Sequence, residues 1–429
     1  MQVPESVSTN AASNNVTKAI PSAGKNAAKI HFLFLNLGHF LDHFFMLIFS
    51  TVAAVVLVHE WNLSYSQLIP YATPGFIAFA AFTIPAGWLA DRYGRERLMV
   101  VFFVGCGIAA MLCALAASPL QMSLSLFLVG VFAAIYHPVG IALVLEGERA
   151  VGLRVASNGV WGNLGVAVGA LLTGALIDAA GWRAAFIIPG LFSVLLGVVY
   201  ALRVQRYSPS RLVAMSRDDD QASDEVSNKS LSSPSVMSAE NKSRLLRVFA
   251  VVLLTTACGG VVFQSTTFSL PKVLLERSAD LASSATALGW MAFIVFAIAS
   301  CGQLVVGYLI DRPGSARRIF SGVALMQLVF FLLALGAKGV WAPIVAVGFM
   351  LAAFGQIPIN DVLVGRATPA TYRSRVLAIR YTVTLSTMAL SVPLIALLYA
   401  GGGVVHLFLL LAAMATIILI CTRFLPADL

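Results

Sequence analysis

The feature that most constrains this chain is a run of about 20 apolar residues that recurs from residue 30 to residue 424. A helix that crosses a bilayer needs ~20 mainly apolar residues, whereas a strand of a membrane barrel alternates over ~10 residues. These runs are apolar on every side, so the pattern predicts an all-α membrane protein. We place twelve transmembrane helices at 30–58, 68–90, 97–117, 120–145, 155–179, 183–203, 246–272, 284–310, 317–337, 340–364, 376–399 and 403–424.

The distribution of charge predicts how these helices are oriented. Charged residues make up 11% of the chain, against roughly 25% in soluble proteins. Basic loops stay in the cytoplasm, and with both termini inside only four of the 28 Lys and Arg residues fall in outer segments: Arg183, Lys272, Arg277 and Lys338. We therefore expect a multi-pass protein of the inner membrane with both termini cytoplasmic. The net charge of +9 indicates contact with membrane lipids and not with nucleic acid.

A polar stretch divides the helices into two groups of six. Residues 204–245 are rich in Ser, Asp and Lys and lack apolar periodicity, which predicts a cytoplasmic linker between bundles at 30–203 and 246–424. We expect cytoplasmic tails at 1–29, which is predicted to be disordered, and at 425–429. An internal repeat supports this division, because five residues recur 220 positions later: Gly87, Asp91, Arg92, Gly94 and Pro138, as Gly307, Asp311, Arg312, Gly314 and Pro358. Such repeats are typical of transporters whose two halves rock about a central site.

The loop after the second predicted helix carries the most specific motif. It reads GWLADRYGRER from Gly87 to Arg97, and its weaker copy reads GYLIDRPGSARR from Gly307 to Arg318. This pair resembles the signature loop of the major facilitator superfamily, and the resemblance covers residues 30–424. It implies two pseudo-symmetric six-helix bundles and a cytoplasmic gate formed by Gly87, Asp91, Arg92, Gly94, Arg95, Asp311 and Arg312; from its position near the inner end of the tenth helix we add Asp361 to this gate. We interpret Asp361 and Arg366 as a gate or interface pair; alternatively, the loop arginines only fix topology.

Three further segments show a narrower resemblance. GHFLDHF in the first helix, YHPVGIA in the fourth and WGNLGVAVGA in the fifth look like the branch that includes fosmidomycin-resistance exporters. Two departures separate the chain from that branch. Val139 stands where an acidic residue follows the His-Pro pair, and the polar pair of the first helix, Asp42 and His43, is spaced differently. We therefore do not carry the drug substrate over.

A polar stripe on the first helix contains a carboxylate and two imidazoles. Residues on one face are Asn36, His39, Asp42, His43, Met46 and Ser50, and Asp42 lies roughly 18 Å into a hydrocarbon core about 30 Å thick. Because a charge facing lipid is costly, the stripe must face protein or a water-filled cavity. The cluster is suited to proton coupling, and the alternative is a hydrogen-bonded contact that joins two helices. The histidine spacing also suits a transition metal, but the sequence shows no second ligand-rich segment, so we predict no metal site.

In the superfamily that the chain resembles, the first helix of each three-helix unit lines the central cavity. On these helices and on the eleventh, we assign substrate binding or proton coupling to His39, Asp42, His43, His137, Gln264, Gln356, Asn360 and Arg380. Arg380 needs a partner inside the membrane, which an anionic substrate, Asp361 or a lipid phosphate can supply. The alternatives are a backbone-satisfying role for His137 and a snorkelling arginine.

The sequence therefore predicts a secondary active transporter that works by alternating access, coupled to protons, for a small polar or anionic organic solute. The alternatives are a proton-antiport drug exporter, a transition-metal transporter and a membrane sensor. No HExxH, GxSxG or GxxxxGK[ST] motif is present, so we predict no enzyme activity and no cofactor. The expected partners are a small-molecule substrate, protons and membrane lipids, and we expect a monomer.

Overall fold

The computed structural model describes residues 22–146, 151–206, 239–310, 312, 316–368 and 370–426, and these residues are helical almost throughout. The first ten membrane helices are α1 (Ser22–Val52, continued by Ala53–Leu57 and Val58–Glu60), α2 (Tyr65–Leu68, Ile69–Ala72 and Thr73–Tyr93), α3 (Arg95–Ala114), α4 (Pro119–Ala133, Tyr136–Gly140 and Ile141–Leu145), α5 (Val151–Ala180), α6 (Ala184–Arg206), α7 (Ala239–Arg277), α8 (Ala285–Ile310), α9 (Ala316–Ala334) and α10 (Trp341–Ala367).

The last two helices follow each other within one segment, Ala370–Thr422. Gly402 and Gly403 interrupt it with non-helical backbone angles, and the φ angle of Gly403 is 63°, a value that glycine adopts without strain. We label residues 370–401 α11 and residues 404–422 α12. Among the described residues, 11 continuous segments are long and apolar enough to cross a membrane, and the last, at 44 residues, has the length of two spans. The prediction of an all-α protein with twelve transmembrane helices is confirmed.

Several helices extend beyond the apolar runs that predicted them. Helix α1 begins at Ser22, inside the predicted tail, while α6 ends at Arg206 and α7 begins at Ala239, inside the predicted linker. Hydropathy locates only the part of a helix that lies in hydrocarbon, and backbone hydrogen bonding continues the helix into the polar flanks. Residues 207–238, most of the predicted linker, lie outside the described residues, as do residues 1–21 and 427–429.

The twelve helices form two halves, α1–α6 and α7–α12. In the N-terminal half α1 packs against α5 and α3 against α6, and in the C-terminal half α8 packs against α10 and α7 against the α11–α12 segment. The halves meet where α5 packs along α8, where α1 contacts α7, and where α2 contacts the α11–α12 segment. At the α5–α8 crossing a side chain on Gly174 would collide with the backbone of Ala285, so only glycine permits this approach.

The two ends of the bundle differ in how the halves are joined. We call the end that carries the α2–α3 loop, the end of α6 and the start of α7 the linker side, and the opposite end the distal side. Near the distal side the halves are joined by ring contacts between Tyr65 and Tyr399, at 5.0 Å, and between Phe76 and Phe268, at 5.7 Å. Toward the linker side, α4 and α10 do not pack extensively against each other in the described part of the chain.

Candidate functional site

Four titratable side chains from two helices meet inside the N-terminal half: His39, Asp42 and His43 on α1, and His137 on α4. We call them the His–Asp cluster. The His39 and His43 ring centroids are 5.0 Å apart, and the His137 ring meets them edge-on at 5.6 and 5.7 Å. One nitrogen of each ring lies within 4.8 Å of the other two. The stripe predicted on α1 is therefore completed by an imidazole from α4.

The position of His137 follows from the proline after it. Pro138 has no backbone N–H and its ring crowds the carbonyl four residues earlier, which disturbs the helix at this point. Residues Tyr136–Gly140 instead form a π-helical turn, a feature often found at functional sites. The turn brings His137 Nε2 to 3.2 Å from Asp42 Oδ2.

Asp42 is the most deeply buried member of the cluster, with 1% of the residue exposed. Neither carboxylate oxygen makes a well-aligned hydrogen bond to the described residues, so the approach of His137 is a close polar contact and not a satisfied pair. A buried carboxylate in this state is costly in free energy. The side chain faces protein, as its position inside a membrane helix requires. A proton or a cation could therefore act as the missing partner of this carboxylate.

A network of hydrogen bonds fixes His39. Its Nδ1 lies 2.8 Å from the backbone oxygen of Asn158 on α5, and because a carbonyl only accepts, Nδ1 carries the proton. Tyr136 stacks on the imidazole at 4.9 Å and donates its hydroxyl proton to the backbone oxygen of Leu35, at 2.8 Å. Asn158 Nδ2 donates to Asn36 Oδ1 at 3.0 Å. The roles of Asn158 and Tyr136 were not predicted from the sequence, although an amide inside an apolar helix and a tyrosine beside His137 were available signals.

Glycines bring α5 against α1 at the level of the cluster. A Cβ atom on Gly162 would lie 2.7 Å from His39 Nε2, and one on Gly165 would collide with the backbone oxygen of Phe40. A Cβ on Gly159, one turn earlier, would meet nothing within 4 Å. The WGNLG motif thus includes a glycine that is required for the position of the His39 ring.

A second polar site lies in the C-terminal half, where α11 meets α10. Arg380 Nη1 donates to Asp361 Oδ1, and the guanidinium lies 5.0 Å from the centre of the Tyr381 ring. The side chain of Arg380 is 7% exposed whereas that of Asp361 is 39% exposed. The predicted pairing of Asp361 with Arg366 is wrong, because Arg366 Nη2 instead donates to the backbone oxygen of Ile310 at 2.6 Å and so binds the end of α8.

The predicted amides of the C-terminal half bond to neighbouring helices. Gln356 accepts a hydrogen bond from Gln327 Nε2 at 2.8 Å and donates to the backbone oxygen of Thr255 at 3.2 Å. The Thr255 hydroxyl donates to Asn360 Oδ1 at 3.2 Å. Gln356 and Asn360 are each only 4% exposed, so in this structure they join α7, α9 and α10 and do not line an open cavity. Gln264 is 2% exposed, and its Nε2 has no partner among the described residues.

The predicted gate residues of the α2–α3 loop contact groups of their own half. Arg95 lies 3.7 Å from Asp91 and 4.0 Å from Glu146, which follows α4. Arg92 lies over the Trp88 ring at 5.5 Å. Gly94, with a φ angle of 97°, forms the turn between α2 and α3 that sets these charges at the linker side.

Two more predicted gate residues can be placed and one cannot. A Cβ atom on Gly87 would lie 3.6 Å from Pro138, so α2 passes close to the π-helical turn of α4. In the copied loop, Arg312 Nη2 lies 3.4 Å from the Tyr308 hydroxyl. Asp311 lies outside the described residues. A gating role for these residues stays a prediction.

Together the two sites offer three kinds of chemistry. The His–Asp cluster can exchange protons, because a carboxyl group contacts an imidazole. Arg380 can bind an anion if Asp361 releases it. Finally, the cluster has a donor set that suits a transition metal, since α4 supplies the third imidazole that the α1 sequence lacked.

Known proteins resemble this chain in sequence and in fold. The sequence profile of the Major Facilitator Superfamily matches residues 35–278 and 273–428. A gallate transporter from Pseudomonas putida is 24% identical over 320 residues, which are 70% of this chain and 69% of that protein. A probable actinorhodin transporter from Streptomyces coelicolor is 35% identical over 150 residues, 32% of this chain and only 25% of the relative's length.

Among solved structures, a D-xylose-proton symporter has a similar fold. The TM-score is 0.69, and the match covers 92% of this chain and 98% of the symporter at 16% sequence identity. At this identity the likeness concerns the fold alone. It supports the arrangement of two six-helix halves that the packing of α5 against α8 had indicated.

Proposed function

Because the chain belongs to the major facilitator superfamily, we propose that it is a secondary active transporter that carries a small anionic organic solute together with protons. The observation that carries this proposal is the Arg380–Asp361 pair. Arg380 is almost fully buried inside a membrane span, while its carboxylate partner is 39% exposed and can be replaced. The carboxylate of a solute has the same chemistry as the Asp361 side chain.

In the proposed cycle, the carboxylate of the solute takes the place of Asp361 on the Arg380 guanidinium. Arg380 gains an equivalent charge-assisted hydrogen bond, so the exchange leaves no buried charge without a partner. Asp42 accepts a proton that enters with the solute, and the proton leaves when the cluster is exposed to the other side. One anion and one proton then cross together without net charge movement.

The contacts between the halves fit alternating access. They run from the distal side, at Tyr65 and Tyr399, to a 2.6 Å hydrogen bond from Asn163 on α5 to Gln303 on α8. Rocking of the halves about the α5–α8 crossing would open the distal side and close the linker side, where Arg92 and Arg95 lie. The positive charge of the linker side supports a cytoplasmic location for it.

The similarity to a gallate transporter supports an aromatic carboxylate as the solute class. The alternative is export by proton antiport; the similarity to a probable actinorhodin transporter extends the range of solutes but gives no direction of transport. The resemblance to fosmidomycin-resistance exporters stays a prediction, and it favours export. Uptake and export use the same two sites and differ in the direction of coupling.

The test is transport of gallate and of its neutral amide into proteoliposomes that carry a pH gradient. Arg380→Gln removes a charge-assisted interaction of ~1.5–3 kcal/mol, so gallate transport should fall about tenfold to a hundredfold while amide transport changes little. Arg366→Gln, the same substitution at the α10 arginine that donates to the backbone oxygen of Ile310, is the matched control and should leave the ratio of the two solutes unchanged. Equal losses of gallate and amide transport in Arg380→Gln would refute anion recognition by Arg380.

A further inference from the structure

We propose that the His–Asp cluster binds one divalent transition-metal cation, with the imidazoles of His39, His43 and His137 as its ligands and Asp42 as the neighbouring carboxylate. Imidazole is a preferred ligand of zinc, copper, iron and nickel, and three imidazoles with one carboxylate are a donor set that such ions accept. One nitrogen from each ring lies within 4.8 Å of the other two, and they come from two helices that pack together.

Asp42 lies next to one of these imidazoles. Two ligand atoms of a tetrahedral ion with bonds of ~2.0–2.1 Å lie about 3.3 Å apart. His137 Nε2 and Asp42 Oδ2 are 3.2 Å apart. The three imidazole nitrogens lie within 4.8 Å of one another, and rotation of the His43 and His137 rings toward the fixed His39 ring would bring them to this spacing.

The hydrogen bonds around His39 are those that a metal ligand needs. Metal-binding histidines usually donate their second ring N–H to a carbonyl or carboxylate, which fixes the tautomer and turns the free nitrogen to the ion. His39 Nδ1 donates to the backbone oxygen of Asn158 at 2.8 Å, so Nε2 carries the lone pair. Tyr136 stacks on one face of the His39 ring, and α5 lies close to the ring at Gly162. Both contacts limit rotation of the ring.

Charge and access agree with a cation at this place. Asp42 is 1% exposed, its oxygens have no aligned hydrogen bond to the described residues, and a divalent ion would supply the missing positive charge. The side chain of His137 is 31% exposed and His43 is partly exposed, so an ion can reach the cluster from that side. The metal site shares Asp42 with the proposed proton coupling, whereas recognition of the anion rests on Arg380, so metal binding and anion recognition are measured separately.

Isothermal titration calorimetry with Zn²⁺ tests the site, using the purified full chain without a polyhistidine tag after treatment with a chelator. We expect one Zn²⁺ per chain, and His43→Asn and His137→Asn should each weaken binding by at least about tenfold. The exposed His59 lies outside the cluster, and His59→Asn is the matched control that should bind as the wild type does. Absence of saturable binding, or equal binding by wild type and both cluster variants, would overturn the proposal.

A second measurement keeps the test decisive if the histidine variants do not fold. Co²⁺ bound by imidazoles and a carboxylate in tetrahedral geometry absorbs strongly in the visible, whereas hydrated Co²⁺ absorbs weakly. Gly162→Ala displaces the His39 ring without removing a ligand and should weaken Co²⁺ binding, while Gly159→Ala, where a Cβ meets open space, should not. A spectrum of hydrated Co²⁺ alone in the wild type would refute the site, and this result is independent of gallate transport.

Discussion

Asp178 at the end of α5 accepts hydrogen bonds from the backbone N–H and the hydroxyl of Thr286 in the first turn of α8, at 2.7 and 2.6 Å. The backbone N–H of Ala285 also donates to it, at 3.3 Å. A carboxylate at a helix N-terminus satisfies N–H groups that have no partner inside the helix and interacts favourably with the helix dipole. Because α5 and α8 belong to different halves, this contact joins the halves at the distal side.

Removal of that carboxylate should loosen the distal side. We expect Asp178→Ala to increase amide hydrogen exchange at the start of α8 by about tenfold, since charge-assisted hydrogen bonds contribute ~1.5–3 kcal/mol. Hydrogen exchange with mass spectrometry on the protein in nanodiscs measures this effect. Asp280→Ala removes an exposed acid just before α8 and is the control. If amide hydrogen exchange at the start of α8 is equally fast in both variants, Asp178 does not hold the halves together.

The Arg380–Asp361 pair leads to a prediction about stability. Asp361→Asn leaves the guanidinium buried without a counter-charge, so the variant should lose about 1–3 kcal/mol of stability. The double variant with Arg380→Gln should recover part of this loss, because no buried charge is left. Thermal unfolding midpoints of wild type, both single variants and the double variant form the cycle that measures the coupling.

The control for this cycle is Asp91→Asn at the linker side. The side chain of Asp91 is 73% exposed and lies 3.7 Å from Arg95, an exposed pair of the kind that contributes ~0–1 kcal/mol. Its midpoint should stay close to that of the wild type. A double variant of Arg380 and Asp361 that is no more stable than Asp361→Asn would contradict a buried charge as the cause.

The sequence predicted the fold well because hydropathy records the physical demand of the bilayer. Each apolar run is long enough to span the bilayer, and the 220-residue repeat reflects two similar halves. The ends of α1, α6 and α7 were misplaced because helices continue into water beyond the apolar part. The sequence predicted two separate helices at the end of the chain. In the structure only Gly402 and Gly403 separate α11 from α12, so the helical segment is nearly continuous.

The candidate site was only partly predictable, because its contacts depend on how helices approach each other. Helical periodicity placed Asp42 and His43 on one stripe, but the 3.2 Å contact with His137 depends on the π-helical turn Tyr136–Gly140. The hydrogen bond from His39 to the backbone oxygen of Asn158 could not be predicted, because every residue type offers the same carbonyl group. Likewise, Arg366 was paired with Asp361 by spacing, whereas the end of α8 supplies its acceptor.

Asp42 leads to a prediction in which stability and function change in opposite directions. Asp42→Asn removes a buried carboxylate whose oxygens lack aligned hydrogen bonds, so the thermal midpoint should rise or stay unchanged. Accumulation of gallate driven by a pH gradient should be lost, while exchange of gallate across the membrane without a gradient should persist. Asp280→Asn is the charge-matched control and should keep both activities. Accumulation by Asp42→Asn at the wild-type level would remove this carboxyl group from proton coupling.

The approach of α5 to α1 leads to the last prediction. Gly165 faces the backbone oxygen of Phe40, and a Cβ atom there would collide with it, so Gly165→Ala must push the two helices apart. Because backbone cannot move aside as a flexible side chain does, we expect a loss of ~1–3 kcal/mol, seen as a lower thermal midpoint. Gly322 on α9 is exposed and a Cβ there meets nothing within 4 Å, so Gly322→Ala should be neutral or stabilise by ~0.4–1 kcal/mol. Equal midpoints for the two variants would show that α1 and α5 do not pack backbone to backbone at this crossing.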